Sequence, residues 1–394
     1  MVSWIDRWRG RHRTPVPETK AANSSFVTLM RQQSAQWSGK NFAAHAKLGM
    51  MGNPVAYRAV RLIAESASRV PLHLMQDGKK QSNHPALALL SRPNNETSWP
   101  DLTEELITYM LLAGSAYIEM VRVDELAQMF VLRPDRVTPC VGKDGWVNAY
   151  IYQVDGHKRK IKAEGAQGHT LLHLKNLHPL SDHTGLAPAA AAMQAIETHN
   201  SACDWHKALL DNAARPSGAL VYNAQHGNLS DEQFARLKTE LADGFQGAAN
   251  AGRPMVLEGG LDWKSIGYSP RDMDFLAAKD SAARDIATAF GVPPMMLCLP
   301  GDNTYANYRE ANRAFWRQTM IPLMTRISAA LGQWLSEHFD QELHIKPDFE
   351  AIEAIAMERL SGWAQIDGLN ALTRAEKREL MGFRPHHHEG EDHE

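Results

Sequence analysis

Apolar residues recur every three or four positions over several long stretches, and this spacing predicts amphipathic helices. The predicted long helices cover residues 53–70, 98–114, 185–213, 269–291 and 306–338. Capping and helix-ending residues support these boundaries, because Ser98 or Asp101 can cap one helix and Gly114 and Gly291 can end two of them. Pro322 falls inside the last helix, so we expect a kink there.

The pattern changes to a period of two between about Ser115 and Leu177, which is typical of β-strands. Segments such as SAYIEMVR, NAYIYQV, HKRKIKA and TLLHLKN are separated there by turns. Further strands are predicted at LHLMQ, before the Asp77-Gly78 turn, and at ELHIKPDFE near the C-terminus. Strands grouped after helices, rather than alternating with them, place the chain in the α+β class.

Residues 218–269 form an insertion of about fifty residues between two long helices. Its pattern predicts strand, helix, strand and strand, and Ser230 with Gln233 fits a capping box at the start of the helix. A unit of this size cannot bury a large core by itself. We therefore expect the insertion to pack against neighbouring subunits.

The segment GVPPMMLCLPGDNTY separates two good helices by an unusually long connection, since two to eight residues would suffice. Gly291 permits a left-handed helix end, and the prolines after it cannot continue a regular helix. We expect the apolar residues to anchor the start of the connection on the protein or on a neighbour; they are Met295, Met296, Leu297 and Leu299. The polar stretch from Pro300 to Asn307 is then free to project.

Composition narrows the class of protein. The 394 residues contain 42 Lys and Arg against 45 Asp and Glu, a net charge of −3, whereas a tight nucleic-acid binder is usually basic. The length predicts two to four subdomains.

Three scattered cysteines suggest neither a disulfide framework nor a CxxC metal site, and they favour a reducing compartment. The basic N-terminus lacks the apolar region of a secretory signal, and no apolar run is long enough for a membrane span.

Catalytic fingerprints are missing from the sequence. It contains no GxxxxGK[ST], GxGxxG, HExxH, GxSxG or EF-hand loop. The cluster of His386, His387 and His388 could bind metal, but a solvated polar tail explains it better. We therefore predict no catalytic residue, no cofactor and no metal, and we expect the protein not to be an enzyme.

Most of the chain, from about residue 50 to 385, resembles the portal proteins of tailed bacteriophages. The resemblance lies in NPVAYRAVRLIAESASRVPLHLM, NLHPLSDHTGLAPAAAA, NAARPSGAL, LSDEQFARLKTEL, AFGVPPMML and TYANYREANRAFWRQTMIPLMTRI, which follow one another in the family's order. No piece is a catalytic fingerprint, but so many ordered matches are specific together. A portal of a phage, a prophage or a phage-derived gene-transfer particle fits equally well.

The resemblance implies a subunit with a wing, two stem helices, a clip and a short helical crown. The implied segments are a flexible N-terminal segment (1–24), the first part of the wing (25–184), a stem helix (185–215), the clip (216–269), a second stem helix (270–290), a tunnel loop (291–306), the rest of the wing (307–350), the crown (351–385) and a polar tail (386–394). The Ala-rich start of the first stem helix, Ala189 to Ala192, would allow neighbours to approach closely.

The resemblance also implies the function. Portal subunits form a ring, usually of twelve, at one capsid vertex of a virion or phage-like particle assembled in the bacterial cytoplasm. Double-stranded DNA passes through the ring; the large terminase motor, a head–tail adaptor and the major capsid protein are the implied partners, and no membrane is involved. A near-neutral bore would let DNA slide, because each phosphate contact adds affinity.

The tunnel loop is the implied channel site, with DNA-facing residues Asp302, Asn303, Thr304, Tyr305 and Arg309. Hydroxyl and amide groups can touch phosphates weakly, and one arginine per subunit can steer them. A plain connector packed on its own subunit is the alternative for this loop. For the whole chain, the alternatives are a capsid or scaffold protein without a channel and a DNA-processing enzyme, which would need a carboxylate cluster for metal.

Overall fold

A computed structural model describes residues 41–123, 126–165, 168–211, 218–222, 261–265, 275–300, 305–369 and 372–381, with isolated positions between 230 and 239. The α-helices in these ranges are α1 (Phe42–Ala44), α2 (Pro54–Ser68), α3 (Pro85–Ser91), α4 (Trp99–Ala113), α5 (Pro188–Asp211), α6 (Phe275–Phe290), α7 (Tyr305–Phe315), α8 (Ile321–Phe339), α9 (Glu353–Asp367) and α10 (Arg374–Leu380). Shorter helical pieces are the π-helical segments His45–Met50 and Trp316–Met320 and the 3-10 turns Pro134–Arg136 and Pro294–Leu297.

The strands of the described ranges pair in antiparallel sheets. They are β1 (Leu72–Gln76), β2 (Lys79–Lys80), β3 (Ser115–Val123), β4 (Leu126–Leu132), β5 (Val137–Val141), β6 (Val147–Val154), β7 (His157–Lys162), β8 (Glu164–Gly165), β9 (Gly168–His169), β10 (Leu171–Lys175), β11 (Gly218–Tyr222), β12 (Leu261–Ser265) and β13 (His344–Pro347). The sheet orders are β13-β1-β2, β10-β3-β4 and β5-β6-β7, with the separate pairs β8-β9 and β11-β12. The predicted α+β class is confirmed.

The helix ends form where the sequence predicts them. Ser98 accepts from the Asp101 backbone N–H while the Asp101 carboxylate accepts from the Ser98 N–H, a complete capping box. This pairing lowers the pKa of Asp101, first through its hydrogen bond to the Ser98 hydroxyl. Gly114 ends α4 at φ 75, a left-handed conformation that glycine adopts without a Cβ clash. Thr373 caps α10 in the same reciprocal way as Ser98 caps α4.

The main core lies among the long helices and the sheets beside them. Its fully buried members include Ile63 of α2, Leu106 of α4, Ile196 of α5, Ile286 of α6 and Leu331 of α8. Burying one such side chain contributes roughly 1.5–3 kcal/mol, so this cluster ties the two predicted stem helices to the helices of the predicted wing. A smaller cluster forms around Tyr117 and Tyr150 under the β5-β6-β7 sheet.

Two predicted helices differ in their bounds or regularity. The helix predicted from residue 185 begins at Pro188, because proline is best tolerated in the first turn. The helix predicted over 306–338 is two α-helices, α7 and α8, joined by the π-helical segment Trp316–Met320. Pro322 lies at the start of α8, directly after this segment, so the helix is interrupted by a widened turn beside the proline.

The insertion is described at its two ends. Strand β11 pairs with β12 in a register that joins Gly218 to Ser265 and Tyr222 to Leu261, so the first and last strands of the insertion close it at its base. Ser230 and Gln233 exchange the capping-box hydrogen bonds that the sequence predicts, at 3.0 and 3.3 Å. The strand predicted at GRPMVLEGG, the N-terminal segment 1–24 and the polar tail lie outside the described residues.

Candidate functional site

The candidate site begins where α6 ends. Gly291 has φ 68, its N–H donates to the Thr288 carbonyl at 3.0 Å, and the Val292 N–H donates to the Ala287 carbonyl at 2.9 Å. This pair of bonds is a Schellman motif, and Val292 and Ala287, the two positions that such a motif brings near each other, are both buried. The Thr319 hydroxyl also donates to the Gly291 carbonyl, at 2.6 Å. The predicted left-handed helix end is therefore confirmed, and a side chain on the π-helical segment holds it.

The apolar residues after Gly291 fix the start of the connection. Met296 and Leu297 are buried in the main core, Leu299 packs partly buried against it, and Met295 is half-buried. A 3-10 turn, Pro294–Leu297, carries the side chains of Met295, Met296 and Leu297, and Cys298 follows in a left-handed conformation at φ 58. The anchor predicted from the sequence is therefore confirmed, and it packs on the same chain.

The connection then turns back toward the helix it has just left. The guanidinium of Arg284 donates to the Pro300 carbonyl at 2.5 Å, although Arg284 lies six residues before the end of α6. Six helical residues correspond to about 9 Å along the axis. Pro300 is thus held beside α6 rather than beyond its end, and Pro300 is the last described residue before the tip.

The structure describes only two of the five predicted site residues of the loop. Asp302, Asn303 and Thr304 lie outside the described residues. Tyr305 is described as the first helical residue of α7, and Arg309 is exposed one turn further along. The structure therefore places the two ends of the predicted tunnel loop, but it does not bring the five predicted residues together, and their contact with DNA stays a prediction.

Sequence reasoning missed two residues that shape the loop, Arg284 and Thr319. Both act through hydrogen bonds to backbone carbonyls at positions that only the folded chain brings near, 16 and 28 residues away. A pattern of apolar positions cannot reveal such contacts. In the sequence, Arg284 is only a polar residue of the predicted helix that precedes the connection.

The two predicted stem helices pack against each other inside the chain. Ile196 of α5 and Ile286 of α6 are fully buried, and Ala189 and Ala192 are buried in the same cluster. Ala191 is exposed. Part of the alanine run therefore fits the internal core, while the close approach of neighbours that we expected from it remains a prediction for the exposed face.

A polar network joins the middle of α5 to the start of α2. The amide of Asn53 contacts His199 Nδ1 at 3.1 Å and donates to Asn200 Oδ1 at 2.8 Å, while its own oxygen caps α2. Asn200 donates in turn to the Leu48 carbonyl at 2.9 Å. Burial, reinforced by Lys279 and opposed by Asp280, lowers the pKa of His199, which favours the neutral form of its ring.

The described ranges hold no group of three or more His, Cys, Asp or Glu side chains placed to bind a metal ion. Within those ranges, no helix has both the length and the apolar character needed to cross a membrane.

Comparison with known proteins gives consistent matches over most of the chain. The family described as "Phage portal protein" matches residues 54–382. An uncharacterized protein of Rickettsia bellii (strain RML369-C) is 42% identical over 334 residues, which is 84% of this chain and 86% of that protein. The probable portal protein of Streptomyces phage phiC31 is 24% identical over 349 residues, 83% of this chain and 73% of the phage protein.

A solved structure extends the similarity to the fold. A chain in the neck of a native gene transfer agent particle, computed with C12 symmetry, is 46% identical and has a TM-score of 0.68, covering 89% of this chain and 95% of that one. The α+β architecture and the order of its elements are thus shared along almost the whole length. The family match over residues 54–382 shows that the chain belongs to the phage portal protein family.

Proposed function

We propose that twelve copies of this chain form a ring-shaped channel at one vertex of a phage or gene-transfer particle, and that double-stranded DNA is packaged and ejected through it. The observation that carries this proposal is the family match together with the 46% identity to a chain of a particle neck with C12 symmetry. The family is structural, so no catalytic step is proposed for the chain itself.

The subunit is suited to a closed ring with head-to-tail contacts, in which each copy uses two different surfaces. The paired strands β11 and β12 close an insertion that is too small to bury a core of its own, so neighbours complete it. The near-neutral net charge of −3 limits the grip of the channel on phosphates.

Segment 291–306 acts as the tunnel loop of this channel. Its start is fixed by the Schellman motif, by the buried side chains of Met296 and Leu297 and by the Arg284 contact, and its far end is fixed by α7. A loop held at both ends can present its polar tip, with Asp302, Asn303, Thr304 and Tyr305, at a constant depth. Arg309 adds one steering charge per subunit.

The partners of the ring follow from this role. The large terminase motor docks on the insertion, which serves as the clip, and a head–tail adaptor replaces the motor after packaging. The major capsid protein surrounds the wing. The ring assembles in the bacterial cytoplasm before it is built into the particle.

Native mass spectrometry and negative-stain images of purified protein test the ring. Twelve chains of 43.9 kDa give about half a megadalton, with a visible central hole. Rings of eleven or thirteen copies would still support the proposal, because isolated portals can miscount. A monodisperse monomer at micromolar concentration, or an assembly without a hole as expected for a capsid or scaffold protein, would refute it.

Deletion of residues 301–304 tests the loop. A matched control replaces the same four residues with Gly-Ser-Gly-Ser, so that the connection keeps its length. We expect the deletion to leave rings and capsids assembled but to impair DNA packaging or retention, measured as nuclease-protected DNA per particle. Particles that fill and hold DNA normally with this deletion would make the segment a plain connector.

A further inference from the structure

A cavity of about 350 Å³ lies between the long helices and has an arginine at its mouth. Its floor is apolar and consists of core side chains from α2, α4 and α6, among them Ile63, Met110 and Phe290. Its rim is polar and includes Asn176, Gln318, Thr319 and Arg326. A mostly apolar cavity with a few placed polar groups is the usual form of a binding site, and this volume is at the small end of that class.

Arg326 lies at the exposed edge of the cavity and lacks a carboxylate partner in the described ranges. Its guanidinium donates to Asn176 Oδ1 at 2.7 Å, and burial lowers its pKa. Arg61 and Arg159 differ, because hydrogen bonds to Glu65 and Glu119 raise their pKa values. Because the described ranges give this guanidinium no partner other than Asn176, its remaining N–H groups can take up an anion at the mouth of the cavity.

The position of this guanidinium is fixed in advance. Asn176 donates its backbone N–H to Gly114 at 2.8 Å and its side-chain amide to the Leu186 carbonyl at 3.2 Å, which orients Oδ1 toward Arg326. On the other side, the π-helical segment carries Gln318 and Thr319 along the rim. Such widened turns occur frequently at functional sites in helices.

The geometry points to this cavity as a socket for a second copy of the chain, which inserts a large apolar side chain and places a neighbouring carboxylate on Arg326. This inference rests on the proposed ring. Head-to-tail rings require each surface feature to meet a different feature of the neighbour, and an arginine fork pairs best with a carboxylate in a bidentate contact.

The chain carries candidates for the inserted group. In α9, Met357 is 62% exposed and lies one turn after the exposed Glu353; in α6, Leu276 is 70% exposed and lies one turn before the exposed Asp280. Residues four apart in a helix share a face. Each pair therefore offers an apolar side chain and a carboxylate together.

Photo-cross-linking of purified full-length rings tests the socket. The photoreactive residue p-benzoylphenylalanine replaces Gln318 at the rim, and the matched control carries it at Lys79, the exposed first residue of β2. We expect cross-links between copies from position 318, to a peptide in which an acidic residue lies within four positions of a large apolar one, and few from position 79. Rings without such cross-links would overturn the socket.

A second measurement uses Arg326→Gln, with Arg92→Gln as a control for loss of an exposed arginine. We expect the concentration needed for ring formation to rise about tenfold for Arg326→Gln only. The melting temperature of the isolated subunit should change little, because the removed charge has no carboxylate partner among the described residues of the subunit. An unchanged assembly threshold, or a loss of subunit stability, would overturn the inference.

The two proposals fail differently. Wild-type protein that forms no rings contradicts both the ring and the socket. The socket alone is contradicted if wild-type protein forms rings, rings with the photoreactive residue at position 318 do not cross-link, and the Arg326→Gln variant assembles normally.

Discussion

The contact between Arg284 and the Pro300 carbonyl gives a sharp test of how the loop is held. The change Arg284→Met keeps the length of the side chain and removes its donor groups. A hydrogen bond from a charged donor contributes about 1.5–3 kcal/mol when buried, but Arg284 is exposed and water replaces part of it. We therefore expect a loss of about 1 kcal/mol in the closed form of the loop.

A loss of that size raises the population of the open form about fivefold. Hydrogen–deuterium exchange of assembled rings, followed by mass spectrometry of peptides covering residues 297–306, measures this opening directly. We expect faster exchange there and unchanged exchange in α5. Lys279→Met is the control, because it removes one positive charge from the same helix at a residue that makes no hydrogen bond to the described part of the connection.

The reasoning is wrong if Arg284→Met exchanges like the wild type over residues 297–306, or if Lys279→Met speeds exchange there equally. In the first case the hydrogen bond does not hold Pro300, and in the second case the charge rather than the contact matters. DNA retention is a separate readout. If exchange rises but particles retain DNA normally, the anchor is real and the position of the tip does not control retention.

Two further predictions follow from the described contacts. Gly291→Ala places a Cβ 3.0 Å from the Thr319 hydroxyl at a φ of 68, so we expect the unfolding free energy, measured in urea, to fall by about 1–2 kcal/mol. The control is Gly145→Ala, where φ is 85 but an added Cβ meets nothing nearby. His173, stacked on Tyr117, has its pKa lowered to about 4, mainly by burial and then by Lys175. Because its folded pKa lies below the unfolded value of about 6.5, the neutral ring contributes roughly 3 kcal/mol of unfolding free energy that is lost as the pH falls from about 6.5 to 4. His173→Phe should flatten the plot of unfolding free energy against pH in this range. A variant with an unchanged slope there would contradict the assignment.

The sequence predicted the regular elements well because their signals are local. The capping boxes at Ser98 and Ser230, the glycine ends at Gly114 and Gly291, and the turn at Asp77-Gly78 depend on residues within four positions of one another. The apolar character of the connection also predicted its anchor, as the burial of Met296 and Leu297 confirms.

What the sequence could not predict depends on distant contacts. The Arg284 and Thr319 hydrogen bonds join residues 16 and 28 positions apart. The π-helical turn was foreseen only as a kink, since Pro322 indicates that regular hydrogen bonding must fail but not how the chain absorbs the failure. The sequence also could not show that the described ranges place no carboxylate beside Arg326, because this depends on how the fold positions distant acidic residues.

The π-helical segment Trp316–Met320 also sets the rotation of α7 about its axis relative to α8. Its last backbone bond runs from the Ile321 N–H to the Trp316 carbonyl, one residue more than an α-helical turn would enclose. One residue of α-helix corresponds to 100° of rotation and 1.5 Å of advance. Removing a single residue there would leave α8 seated on the core but turn α7 by about 100°. The direction in which Arg309 leaves the helix is therefore encoded by the length of a turn seven residues away, rather than by any residue near the loop.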